Sequence, residues 1–428
     1  MTAFQTNWKA VFLLDLISFE EKNMGRRVLN IVLTGVLGWA AAGCFGITEI
    51  SGPEKEEDIW TGPGVSVGGD SESICYVTGI DYPEGFDWRE SNGEESVRCS
   101  LTVFADAVPM LKLPVGKLYE VSADPDMHRI LEGHLYTEFC SEGHTVIRKD
   151  GKAFLRYEGE ESIRGMVASG EDIYTLGVPR SGAGFTYRKN GEVLMERRSG
   201  YVFDRLAIDE EAVCFAFCQP VTTITGSSDR YYIVRNERIS MVEFADETTW
   251  VWDIMSCNGK TCAAVSAGPW NTLTLISGNE ERTVLMPFGA DMTSCRLFSS
   301  GDDICIEGLY TNADGTLSSG IWVEGEEYMF FETGQTISAV CSSETDICCV
   351  LNPSEGNHAG IIFKNGKAHP MPAGYICTGS APIAVHQGTL YAALTSQTAN
   401  RPLLWENGKT DSLKLNGPLC SISICTPR

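Results

Sequence analysis

Short apolar runs recur along most of the chain, each opening just after a polar and often acidic turn. Aligned on one column they begin at Ile74-Cys75, Leu135-Tyr136, Ile173-Tyr174, Val213-Cys214, Thr261-Cys262, Ile304-Cys305, Ile347-Cys348 and Leu390-Tyr391. The last three steps are 43 residues each. A period of this size marks stacked or ring-closed repeats. The repeat from Ile337 to Tyr375 reads as four strands. Ile337–Cys341 alternates (strand A). Ile347–Leu351 is wholly apolar and suits a buried strand B. Gly360–Lys364 and Lys367–Met371 make strands C and D, joined at Asn365-Gly366. That dipeptide is the strongest short hairpin signal, because a type I′ turn needs φ > 0 at both central residues.

The hairpin recurs at Asp150-Gly151, Asn190-Gly191, Asn236-Glu237, Asn279-Glu280, Glu324-Gly325 and Asn407-Gly408, with Asp106-Ala107 as a degenerate first copy. The two copies without Gly or Ala are expected to be strained or longer. This gives eight repeats. The first begins at its strand B, Ile74–Thr78. The last residues, Leu419–Cys425, are an orphan strand resembling Ile337–Cys341. A terminal strand that completes the first blade shuts a ring and removes exposed sheet edges. The expected fold is all-β: a β-propeller of eight four-stranded blades over residues 72–428, closed by the C-terminal strand. A seven-bladed ring is the alternative if one repeat is misparsed.

The 428 residues carry a formal net charge of −24. Such a field repels phosphate backbones, so nucleic acid is not an expected partner. The N-terminal region reads as an address. Met24-Gly-Arg-Arg27 is basic, Val28–Ala42 is uncharged and mostly apolar, and Ala41-Ala42-Gly43-Cys44 closes the stretch. This is the order of a secretory signal over residues 24–43. Its ending resembles the lipobox of bacterial lipoproteins, in which Cys44 would carry lipid. A soluble secreted form and an uncleaved anchor are the alternatives. Residues 1–23, with Asp15, Glu20 and Glu21, read as an extension upstream of the true start at Met24. Residues 44–71 are rich in Gly, Pro and acid and read as a tether, although Ile59-Trp60 could dock on the domain. Repeat and address together resemble the propeller lipoproteins of Gram-negative cell envelopes. The resemblance implies a fold and a membrane anchor, with Phe45 after the lipidated cysteine favouring the outer membrane. It brings no catalytic motif.

The chain has 16 cysteines, and a signal peptide implies an oxidising compartment where disulfides persist. The repeat suggests Cys341–Cys348 across an A–B turn and Cys75–Cys425 in the closing blade, with Cys257–Cys262 a weaker third pair. Most of the others read as small buried hydrophobes. No metal or cofactor site is expected: His134 and His144 lie at opposite ends of one strand, and there is no Cys-x-x-Cys, His-Glu-x-x-His or phosphate loop. No nucleophile motif stands out. The acidic pairs Glu171-Asp172, Glu210-Glu211 and Asp302-Asp303 read as turn residues.

In a propeller the B–C and D–A loops share the face around the channel mouth. Tyr82, Trp88, Arg180, Trp270, Tyr310, His358 and Arg401 fall on B–C loops there. They are the candidate ligand-binding residues, for stacking on sugar rings or anchoring a protein; alternatively, the aromatics pack their loops onto the domain. The expected function is a lipid-anchored envelope module that binds a glycan or an envelope protein. The alternative is a propeller hydrolase or lyase acting on glycans, which would need paired carboxylates at the channel mouth.

Overall fold

A computed structural model describes residues 60–61 and 74–425, apart from 88–96, 119–127, 133, 142–143, 151, 180–181, 204–205, 224–225, 245–248, 267–270, 332–334, 353–359, 380 and 399–400. It contains eight antiparallel four-stranded blades arranged as a β-propeller, the sheet of blade 1 extended by a fifth, two-residue strand. Blade 1 joins Leu419–Cys425 to Ile74–Asp81, Val97–Ala105 and Val108–Leu118. Blades 2 and 3 run through His128–Glu158 and Glu161–Arg197, and blade 4 through Tyr201–Val242. Blades 5 to 8 are Trp250–Val284, Asp291–Phe330, Ile337–Pro370 and Tyr375–Ser412.

The ring closes as the orphan strand predicts. Thr78 pairs with Ser421 and Val77 with Ile422, and the hydroxyls of Thr78 and Ser421 meet at 2.8 Å. Trp60–Thr61 pairs with Leu111 and Lys112 on the outer edge of blade 1, so part of the expected tether docks on the domain. Blade 1 therefore takes its innermost strand from one end of the chain and its outermost from the other.

There is no single central core. Each seam between neighbouring blades holds its own apolar cluster, which explains the continuous apolar strands. In Ile347–Leu351, Cys348 and Val350 face blade 8 while Ile347, Cys349 and Leu351 face blade 6. A strand buried on both faces keeps no polar alternation. The 8–1 seam, with Phe104, Leu404, Leu419 and Ile422, is as apolar as the rest.

The hairpin residues do two jobs. In seven blades the first turn residue has φ of 44–53°. Its side-chain oxygen accepts the N–H of a residue at the start of strand B of its own blade, the second in every case but Ile347: Asp106 from Cys75, Asp150 from Leu135, Asn190 from Ile173, Asn236 from Val213, Glu324 from Ile304, Asn365 from Ile347 and Asn407 from Leu390. Its own N–H donates to the carbonyl of that same residue. Asp and Asn suit the site because they tolerate the left-handed region and carry a short acceptor.

Blade 5 departs from this pattern. Its turn is Gly278-Asn279, one residue before the expected Asn279-Glu280, and Gly278 supplies the positive φ without a cap. Neither Gly-lacking copy is longer than the others: both turns span two residues between strands, with positive φ at the first position only.

The register sorts the three expected cysteine pairs. Cys341 lies directly opposite Cys348. Cys75, like Cys341, Cys348, Cys257 and Cys262, is a free thiol in this structure; it lies opposite Ile424, while Cys425 is opposite Ile74. The pairing that a Cys75–Cys425 bridge needs is one residue out of register. Backbone pairing closes the ring instead. Cys257 is opposite Lys260 and only diagonal to Cys262.

Candidate functional site

The two ends of the propeller use their polar side chains differently. On the A–B and C–D turn face they hold blades together. The Asp209 carboxylate of blade 4 accepts from Arg235 Nη1 at 2.8 Å, and from Ser256 Oγ at 2.6 Å and the Gly259 N–H at 3.2 Å in blade 5. Asn258 Nδ2 donates to the Asp302 carbonyl, and Arg282 pairs with Glu324. Ser300 and Ser342 exchange hydroxyl-to-carbonyl bonds with Ser343 and Ser299 across the 6–7 seam. Asp172 is bound by Lys189 and Asn190 of its own blade, Lys189 first, and these bonds hold its carboxyl below the ordinary value. The acidic A–B turns are thus structural.

The opposite face, made of B–C and D–A loops, carries the candidate residues. Tyr82 is only 5% exposed. It packs on Phe86 at 5.1 Å, beneath a loop whose carbonyls at Tyr82, Pro83 and Phe86 accept from Asn416 Nδ2. Tyr310 lies within the strand Asp303–Thr311, opposite Ser318, rather than on the B–C loop expected for it; it is 3% exposed and packs against Trp322 and Phe330. Both rings are core, which is the loop-packing alternative. Arg401 is exposed, and its carbonyl accepts from the Tyr375 hydroxyl. Trp88, Arg180, Trp270, His358 and the lipidation candidate Cys44 lie outside the described residues.

A residue that the sequence reading did not single out dominates this face. Phe288 is 103% exposed. It sits in a Pro-x-Gly turn in which the Ala290 N–H donates to the Pro287 carbonyl at 3.0 Å and Gly289 has φ of 71°. A positive φ at the third position is the type II signature. The same turn occurs at Pro83-Glu84-Gly85-Phe86 and Pro372-Ala373-Gly374-Tyr375. In all three the second residue is exposed and the fourth is at least partly buried. The sister apices are Glu84 and Ala373, so only this turn presents an aromatic ring.

Leu285, 57% exposed, lies three residues before it, and Leu317, 37% exposed, follows the 312–316 loop of blade 6. A Cβ on Gly289 would stand 3.3 Å from Ala313, so the 285–291 loop rests on the 312–316 loop of blade 6. These two segments carry Asp291 and Asp314 and no Lys or Arg. Bonds from the Thr316 hydroxyl and N–H hold the Asp314 carboxyl below its ordinary value. The detectable signal was an aromatic residue between Pro and Gly in the largely apolar loop Leu285-Met-Pro-Phe-Gly-Ala290.

Two further groups of reactive side chains have structural explanations. Glu161 and Arg188, each 6% exposed, form a bidentate pair at 2.6 and 2.8 Å, with Arg188 lying 4.2 Å over the Tyr157 ring. Both carboxylate oxygens of Glu161 are engaged by that guanidinium, which ties the first and third strands of blade 3. Burial pushes the Cys305, Cys377 and Cys420 thiols up to about 12, and a protonated thiol is a poor nucleophile. The thiols of Cys214, Cys262 and Cys305 donate to carbonyls two residues back in the chain. His134 and His144 open two successive strands, His134–Ser141 and His144–Lys149, rather than lying at the two ends of one, and pair separately with Asp150 and Glu158. Among the described residues no three His, Cys, Asp or Glu side chains are grouped to hold a metal ion.

No protein-family model matches the chain, and no curated protein matches it. Solved structures match it at the level of fold. The β-propeller domain of the Trilobed protease from Pyrococcus furiosus aligns at 12% identity and TM-score 0.44, over 71% of this chain and 95% of that one. The polysaccharide lyase Uly1 aligns at 9% and 0.40, over 73% and 91%. Porphyromonas gingivalis dipeptidyl peptidase 4 aligns at 8% and 0.43, over 74% of this chain, which spans only 58% of that one. At these identities the likeness concerns the β-propeller fold and extends to no activity.

Proposed function

We propose that the protein is a lipid-anchored binding module of the cell envelope whose B–C and D–A loop face captures a protein partner. The observation that carries this reading is the apex ring of Phe288. Full burial of a Phe side chain stabilises by about 1.5–3 kcal/mol, and the fold gains none of that here. Equivalent turns in blades 1 and 7 carry Glu84 and Ala373, so turn geometry does not call for the aromatic. A large side chain that the fold leaves in solvent is available to fill a partner's pocket, as the buried anchors of interfaces do. The acidic, lysine- and arginine-free rim favours a partner surface that offers an apolar pocket beside basic groups. A glycan platform has less support, since Tyr82 and Tyr310 are buried.

The test is a photo-crosslinking amino acid at position 288 of the full chain, in the cells that make it, with the same label at Tyr328 on an outer strand as control. The expected result is one discrete protein adduct from position 288, absent from the control and lost when Asp291 and Asp314 are both changed to Lys. No adduct, together with a dose-dependent thermal shift by one class of oligosaccharide, would overturn the reading in favour of sugar binding. The anchor is tested separately: Cys44→Ala should move the protein from the membrane to the soluble fraction.

A further inference from the structure

We infer that Cys341 and Cys348 are a disulfide site, the pair this chain joins when it meets a disulfide oxidant. The argument rests on register. Cys341 ends the inner strand of blade 7 and Cys348 begins the next, and they are direct cross-strand partners. Opposed residues in an antiparallel pair stand about 4.5–5.5 Å apart at Cα, inside the range of about 4.4–6.8 Å that a disulfide takes. Both side chains belong to the same apolar cluster, at the 7–8 seam.

The competing cysteines fail on the same criterion. Cys349 is next in sequence to Cys348 but faces the 6–7 seam, as strand alternation requires. Cys257 and Cys262 share a seam but are diagonal, and diagonal neighbours stand about 7–8 Å apart. Cys75 is opposite an isoleucine.

The environment sets how the bond is made. A hydrogen bond that the Cys341 S–H donates to Cys348, then burial, hold the Cys341 thiol well above its ordinary value. Exchange needs a thiolate, so the folded pair reacts slowly and is not a fast sensor. The bond forms during folding, before the seam closes. In the exchange, one thiolate attacks the oxidant's sulfur–sulfur bond and expels a thiol. The second thiolate then attacks the mixed disulfide. One S–S bond forms in the protein, one breaks in the oxidant, and the two protons and two electrons lost by the protein leave as two reduced thiols. The oxidant is a low-molecular-weight disulfide or a thiol–disulfide oxidoreductase. The product would tie the first two strands of blade 7 together beside the Ser300 and Ser342 latches.

The inference needs an oxidising compartment and is independent of the partner proposed above. The test is refolding of the full chain from denaturant in a mixture of oxidised and reduced glutathione. Remaining thiols are then alkylated, and the unreduced protein is digested for mass mapping. The expected result is a crosslinked species joining Cys341 to Cys348, lighter by two hydrogens than the sum of its thiol forms, with Cys349 alkylated. Free alkylated Cys341 and Cys348, or a bridge from either to another cysteine, would overturn it. Cys341→Ser should make Cys348 alkylatable, and Cys348→Ser should do the same for Cys341. If the serine variants do not fold, the map of the unaltered chain decides alone.

Discussion

The smallest unit that shapes this molecule is the capped turn. Asn365 satisfies the Ile347 N–H with its side chain and the Ile347 carbonyl with its backbone. Removing a partner from a partly buried donor costs about 1–3 kcal/mol. Asn365→Ala should therefore lower stability by about that amount, measured by chemical denaturation. Blade 5 offers the converse. Gly278 has φ of 60° and its nearest neighbour to an added Cβ is the Lys260 side chain at 3.7 Å. Asparagine tolerates that backbone and supplies the missing acceptor, so Gly278→Asn should stabilise by about 0.5–1 kcal/mol through the cap and a less flexible unfolded chain. The Glu161–Arg188 pair is a harsher case. It passes over Gly177, where a Cβ would meet Glu161 Oε2 at 2.2 Å. Arg188→Ala leaves a buried carboxylate uncompensated and should cost about 3–5 kcal/mol. Replacing the pair with apolar residues should cost much less, a comparison that separates burial of a charge from loss of packing.

At the scale of the element, the closing strand decides whether eight blades become one ring. Leu419 is fully buried and packs on Leu404, Leu413 and Leu415 at the 8–1 seam. Its N–H donates to Thr395 Oγ1, and its carbonyl accepts from Thr378. Leu419→Ala should cost about 2–5 kcal/mol, and the loss should appear as a lower temperature for one transition rather than as a separate early one. This strand was legible in the sequence because it repeats the Ile337–Cys341 pattern, and blade number followed from counting turns. Register was not legible to one residue: the repeat reads Cys75 level with Cys348, but the turn caps set Cys75 level with Ile347, so Cys75 and Cys425 sit one step apart when paired. The candidate site was less legible still. Sequence places Tyr82 and Tyr310 on exposed-looking loops, yet both rings turn inward because the 1–2 and 5–6 seams have room for them. Phe288 escaped notice because loop apices are usually read by their Pro and Gly, and the ring between them carries no periodic signal.

At the scale of the whole molecule, charge opposes compaction while local ion pairs support it, and pH separates the two. The net charge of −24 makes the folded state repel itself at neutral pH. The exposed pairs on the turn face offset little, since surface ion pairs contribute about 0–1 kcal/mol each. Salt screens both, but the Debye length near 0.1 M is about 10 Å, and many like charges on a closed ring lie beyond that distance. Screening should therefore favour the fold, and added salt at pH 7 should raise the melting temperature. Acid acts differently. Asp172 and Asp314 have carboxyls held below their ordinary value in the folded state. A group depressed by folding stabilises fully above its unfolded pKa, about 3.9 for Asp, and loses that contribution as pH falls through the folded value. Between pH 7 and 5 these two stay ionised, while protonation elsewhere begins to relieve the repulsion. Stability should be level or slightly rising over that window and should fall below pH 4. Calorimetry at low and high salt across the range checks both signs: a melting temperature that drops with salt at pH 7 would show that the local pairs outweigh the net charge.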